Sequence, residues 1–179
     1  MPPAYLIKHV ELDIDITPTV TTVSSKLQVS RNPASELPTD FELHGEHLIL
    51  KELKLDDKIL SADAYKAAES SLTILNVPQA FTLEVITEIK PQNNTELSGL
   101  YKSQHMYCTQ CEAEGFRRIT YYPDRPDVMA KFKVTIHADK KEYPVLLANG
   151  NLIARGSDND GRHHAIWEDP FAKPCYLFA

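Results

Sequence analysis

The 179-residue sequence is short of several things, and each shortage narrows the reading. Its 3 cysteines cannot all pair, which disfavours the disulfide framework of a small secreted module. It has 6 glycines against 12 prolines, so chain reversals should lean on Pro, Asn and Asp. No apolar run approaches the ~20 residues of a membrane-spanning helix. Nor does the sequence open with a basic segment followed by an apolar one, so we expect no signal peptide, no membrane partner and a cytoplasmic location. Positive charge is also in deficit. The 19 Lys and Arg against 25 Asp and Glu give a formal net charge of −6, with no general pull toward phosphate backbones, so no nucleic-acid partner is expected. G-x-S-x-G, G-x-G-x-x-G, P-loop and H-E-x-x-H motifs are all missing.

What the chain does have is alternation. Val10, Leu12, Ile14 and Ile16 are separated by Glu11, Asp13 and Asp15. Val23, Leu27 and Val29 follow with the same period of two, and Thr17-Pro18-Thr19 lies between as the turn of a first hairpin. Further strand-like runs lie at 41–43, 48–55, 72–75, 81–89 and 132–136. Asn149-Gly150 between 143–147 and 151–154 signals a second hairpin, and Asp158-Asn159-Asp160-Gly161 a turn before the run at 164–167. Helical signal is confined to a weak Ala-rich stretch at 62–70 and a short helical turn expected at 126–132. Residues 32–38 form the most loop-like stretch, too short to divide domains. The expectation is one all-β domain over 1–179, an antiparallel multi-stranded saddle or sandwich with at most a short helical turn. The last five residues, Cys175-Tyr176-Leu177-Phe178-Ala179, read as an apolar strand-like run, as if the chain were cut from something longer.

Residues 98–132 break the alternation and collect polar and titratable groups, as functional segments often do. Cys108 and Cys111 form a C-x-x-C, but neither a βαβ context for redox chemistry nor a second ligand pair for zinc accompanies it, so packing is the expected role. Asp158-x-Asp160-Gly161 lacks the first and last ligands of a calcium loop and reads as a turn. His163 and His164 are strand neighbours that point to opposite faces and are expected to be structural. Asn93-Asn94-Thr95 fits a glycosylation sequon but reads as a polar loop. The residues alone suit a binding or accessory β-domain better than a free-standing enzyme, with no catalytic residue and no metal ligand in the chain.

Two segments carry a more specific signal. Thr109-Gln110-Cys111-Glu112-Ala113-Glu114-Gly115-Phe116-Arg117, together with Tyr121-Tyr122-Pro123-Asp124-Arg125-Pro126-Asp127-Val128-Met129, resembles the N-terminal domain of the bacterial aminopeptidase N (alanyl aminopeptidase) family, zinc-dependent gluzincin aminopeptidases. The likeness continues through Leu147-x-Asn149-Gly150-Asn151 and from Trp167 to Ala179, so it covers nearly the whole chain. It implies that Gln110 and Glu112 bind the free α-amino group of a peptide substrate, reaching from the β-domain into a neighbouring catalytic domain. An ammonium needs acceptors, and a carboxylate supplies a charge-assisted bond. In an extended loop Gln110 and Glu112 would share one face while Cys111 points back. The resemblance also implies that Arg117 braces the loop against a carboxylate, and that Tyr121, Tyr122 and Trp167 pack. Zinc belongs to the parent enzyme and no cofactor to this chain, because the family's zinc ligands, general-base Glu and Gly-Ala-Met-Glu-Asn motif lie in a later domain. The expected partners are peptide substrates and that absent catalytic domain, and the 179 residues alone should be inactive. The alternative is a free-standing, non-catalytic β-sandwich binding or scaffold module.

Overall fold

The structure, a computed structural model, describes residues 2–35 and 39–179, so residues 36–38 of the expected loop lie outside the described residues. Thirteen strands are formed among the described residues: β1 (Tyr5–Ile16), β2 (Thr21–Arg31), β3 (Phe41–His44), β4 (Ile49–Leu55), β5 (Lys58–Ile59), β6 (Tyr65–Ala67), β7 (Ser71–Ile74), β8 (Ala80–Ile89), β9 (Gly99–Ser103), β10 (Met106–Gln110), β11 (Met129–Asp139), β12 (Asn151–Ser157) and β13 (Arg162–Pro174). Eight of them form one sheet in the order β12-β13-β11-β1-β2-β8-β4-β5. A three-stranded sheet runs β3-β7-β6, and β9 pairs with β10 alone. Among the described residues, helical structure is limited to single 3₁₀ turns at Pro91–Asn93, Phe116–Arg118 and Cys175–Leu177. The domain is all-β and sandwich-like, as the alternation predicts.

The first hairpin forms where expected, with Thr17 N–H donating to the Val20 carbonyl at 3.1 Å. The register of β1 against β2 shifts between Ile7 and His9. This extra residue lets Tyr5 and Ile7 share the buried face with Val10, Leu12, Ile14 and Ile16, although their numbering has opposite parity. Strand β1 then pairs with β11 in parallel, Leu12 opposite Val134, while the other pairings of the large sheet are antiparallel. The small sheet covers part of the large one. Phe41 of β3 meets Tyr5 and Phe81 edge-on at 5.0 and 5.5 Å, and Leu43, Leu72 and Ile74 are wholly buried. Each such side chain contributes about 1.5–3 kcal/mol through burial.

Four local expectations are corrected. Residues 143–148 form no strand, and Asn149-Gly150 is not a hairpin turn. Asn149 instead pairs with the chain end, its N–H donating to the Ala179 carbonyl at 3.0 Å and its side-chain oxygen accepting from Ala179 N–H at 2.7 Å. The carbonyls of Tyr143 and Leu146 are met by the side chains of His163 and Trp167 at 2.8 and 3.2 Å, which replaces a ladder. Residues 126–132 make a turn at Pro126 and Asp127 and then enter β11, because Ala130, Phe132 and Val134 already alternate with lysines there. The Ala-rich stretch contains β6, a short partner of β7. The last apolar run is a 3₁₀ turn rather than a strand. It places Cys175 and Phe178 in the core.

Candidate functional site

The segment after β10 is built to hold an exposed loop on a rigid base. Gln110 ends β10 opposite Gly99. Gln110 and Glu112 are exposed and Cys111 between them is buried, although the chain already enters a turn at Glu112. The loop closes when Gly115 N–H donates to the Cys111 carbonyl at 2.9 Å. A β-carbon at Gly115 would collide with the Gln110 carbonyl and lie 2.9 Å from the Cys111 Cα, so only glycine lets the backbone fold back this closely.

Phe116 then enters a cluster of rings, with centroids 5.0 Å from Tyr122, 5.2 Å from Phe178 and 5.9 Å from Phe132. Arg117 turns to the buried Asp124. Its backbone N–H and Nε–H both donate to Asp124 Oδ2, at 3.2 and 3.0 Å, and Nη2–H reaches the Asp124 carbonyl at 3.3 Å. The Cys175 thiol donates to the other carboxylate oxygen at 3.0 Å. Asp124 N–H donates to His44 Nδ1 at 3.1 Å, and His44 and Tyr122 exchange backbone bonds at 2.8 and 3.1 Å. Asp124 thus ties the loop, the small sheet and the chain end together. The brace expected for Arg117 exists, and its principal partner is Asp124.

Charge pairing around the loop is uneven. Glu114 meets Arg117 at 3.3 Å, Glu46 meets Arg117 and Arg118 at 3.7 and 3.0 Å, and Glu96 also pairs with Arg118. Glu112 makes no ion pair among the described residues. Gln110 donates its amide to the Glu112 carbonyl at 3.3 Å, which leaves its side-chain oxygen available. The loop therefore presents one uncompensated carboxylate and one amide oxygen on a well-anchored base.

The cysteines are free thiols. Burial, with the Asp124 charge second, pushes the Cys111 thiol up to about 12. Burial and the same carboxylate push Cys175 up still further. Neither supplies a thiolate at neutral pH, which matches the packing role expected for Cys111. Trp167 is partly buried, while Tyr121 and Tyr122 are in the core.

One cluster escaped the sequence reading. His164 does not work with His163; it faces His137 across β11 and β13, and both contact Asp158. No local spacing carries this signal, because the three residues meet only through strand pairing. No helix among the described residues is long and apolar enough to cross a membrane.

Comparison with known proteins agrees with this architecture. The Peptidase M1 N-terminal domain family matches residues 6–177. Aminopeptidase N of Escherichia coli (strain K12) is 49% identical over 177 residues, covering 99% of this chain and 20% of that protein. Aminopeptidase N of Caulobacter vibrioides is 48% identical over 175 residues, covering 98% of this chain and 20% of that protein. The crystal structure of Legionella pneumophila aminopeptidase A in complex with aspartic acid superposes with a TM-score of 0.94 at 37% identity, over 99% of this chain and 21% of that one. The chain spans about a fifth of the length of these relatives. By its match over residues 6–177, the chain belongs to the Peptidase M1 N-terminal domain family.

Proposed function

We propose that this domain works as part of a zinc-dependent aminopeptidase that removes N-terminal residues from peptides, and that Glu112, with Gln110, holds the substrate's α-amino group. The observation that carries this reading is the charge pairing of the loop. Glu114, Glu46 and Glu96 are each held by an arginine, and Glu112 is left to take a cation from outside. A peptide N-terminus is such a cation at neutral pH. Glu112 would accept a charge-assisted bond from the ammonium, and the Gln110 side-chain oxygen a second one. Excluding water by docking another domain over the loop would strengthen both. A fixed anchor also sets the distance from the chain end to the scissile carbonyl, which is catalysis by positioning.

The chain has no H-E-x-x-H sequence, so its residues do not fit the catalytic zinc of such an enzyme. Zinc and the hydrolytic step would belong to a further domain. An interface for that domain has support along the strand that leads into the loop. Met106 of β10 and the neighbouring Val145 and Leu147 are 62%, 68% and 68% exposed and border an apolar hollow of about 310 Å³.

The test is Glu112→Gln in the protein that joins this domain to its catalytic domain. Loss of one charge-assisted contact should lower kcat/KM on an aminoacyl substrate by roughly 10- to 150-fold, the equivalent of about 1.5–3 kcal/mol. An unchanged kcat/KM would remove Glu112 from substrate binding. The 179 residues alone should hydrolyse no peptide, and activity there would overturn the division of labour between domains.

A further inference from the structure

We propose that His137, Asp158 and His164 form a second site, a surface site for one divalent transition-metal ion of the zinc, cobalt and nickel class. It is independent of the substrate loop and of any catalytic zinc. Two strands and the turn after a third build it. His137 of β11 and His164 of β13 are direct cross-strand partners, with ring centroids 5.3 Å apart. Asp158 follows β12 at the turn into β13, where its N–H donates to the Arg162 carbonyl at 2.9 Å. One ligand atom from each residue lies within 4.8 Å of the other two.

Both rings turn Nδ1 toward the same carboxylate. His137 Nδ1 is 2.8 Å from Asp158 Oδ2, and His164 Nδ1 is 2.6 Å from Asp158 Oδ1. His137 Nε2 is 3.3 Å from Asp13 Oδ2, so this ring has a carboxylate oxygen at each nitrogen. A neutral imidazole carries one N–H and can satisfy only one of them. With Nε2–H given to Asp13, the Nδ1 lone pair faces Asp158, and either a second proton or a metal ion must lie between them. This arrangement, with an outer carboxylate fixing the tautomer of a ligating histidine, is what metal sites use to orient their ligands. Among the described residues no Lys or Arg pairs with Asp13 or Asp158. The nearby Arg162 is occupied by Asp15 and by the Ile16 carbonyl at 3.0 Å.

The seat of His164 is also shaped. A β-carbon at Gly156, its partner on β12, would lie 2.7 Å from His164 Cε1 and 2.9 Å from Nε2. The bare glycine leaves room for the ring to lie against the neighbouring strand. The three side chains are each 26% exposed, enough for water to complete the coordination. Ligand atoms around a tetrahedral ion at 2.0–2.1 Å stand about 3.3 Å apart, so the present hydrogen-bonded pairs, at 2.8 and 2.6 Å, need open by about 0.5–0.7 Å to admit it. Two imidazoles and one carboxylate suit borderline divalent ions; magnesium and calcium prefer all-oxygen shells.

Calorimetry of the 179-residue chain with Zn²⁺ tests the proposal, with Mg²⁺ as the control. The expected result is one equivalent of Zn²⁺ bound with a micromolar or tighter Kd, and no Mg²⁺ binding. His137→Gln and His164→Gln should each weaken Zn²⁺ binding at least tenfold, Asp13→Asn about tenfold or more, and Cys108→Ser not at all. No binding by about 1 mM Zn²⁺, binding abolished by Cys108→Ser, or binding indifferent to both histidine changes would each overturn it. If the histidine variants do not fold, the unaltered chain still decides the matter by NMR. Co²⁺ should broaden the ring signals of His137 and His164 first, and broadening centred on His9, His47 or His105 would refute the site.

Discussion

Replacing Arg117 by methionine removes the cation that faces a nearly buried carboxylate. The Asp124 side chain is 2% exposed and the Arg117 side chain 12%, so solvent screens the pair little. The variant loses the Nε and Nη2 bonds to Asp124, while the Arg117 backbone N–H and the Cys175 thiol still donate to the carboxylate. Breaking a buried pair by deleting one partner costs about 3–5 kcal/mol. The two surviving donors reduce this to about 2–4 kcal/mol. In a domain of this size that corresponds to a fall in Tm of roughly 5–15 °C. Lys51→Met supplies the comparison, because Lys51 and Glu88 form a pair at 3.4 Å whose side chains are 48% and 30% exposed, a pair worth about 0–1 kcal/mol. Denaturant unfolding and thermal melts of both variants measure the difference. If Arg117→Met were no more destabilising than Lys51→Met, Asp124 would not be the brace of the loop.

Two more perturbations probe the same region. Gly115→Ala should cost about 1–3 kcal/mol through overpacking against Gln110 and Cys111, read as a lower denaturant midpoint with an unchanged slope; a neutral result would contradict the close backbone approach. The buried thiols should make the fold alkali-sensitive. Cys111 ionises near its ordinary value of 9.0 in the unfolded chain and at about 12 in the folded one. Its contribution is therefore complete below pH 9 and is lost as pH rises from there to about 12, a change of a few kcal/mol. Cys111→Ser should flatten that limb of the stability–pH curve, and an unchanged limb would refute the assignment.

Much of the large sheet was legible because its strands are long and alternate cleanly. The runs Val10–Ile16 and Phe81–Ile89 carry their own face assignment. The parallel pairing of β1 with β11 was not legible, since more than a hundred residues separate Ile16 from Met129 and no local pattern encodes that partner. Asn149-Gly150 misled for a different reason. Its turn chemistry is sound, but Ala179 competes for Asn149, and His163 and Trp167 satisfy the carbonyls that a hairpin would have used. Residues 126–132 lost their helical turn to the burial of Ala130, Phe132 and Val134. At the loop, the alternation of Gln110, Cys111 and Glu112 could be read from spacing alone. The selective pairing that leaves Glu112 free could not, because Arg118, Glu46 and Glu96 come from three separate segments. The His137, Asp158 and His164 cluster was hidden in the same way, behind strand pairing.

The central claim is that Glu112 recognises a free α-amino group. The most direct measurement compares Kd for two active-site ligands in the protein that contains the catalytic domain, one bearing the α-amine and one in which hydrogen replaces it. The unaltered protein should prefer the amine, and Glu112→Gln should remove most of that preference, about tenfold or more, while leaving the des-amino ligand nearly unaffected. Retention of the full preference in Glu112→Gln, or an equal loss for both ligands, would contradict the account.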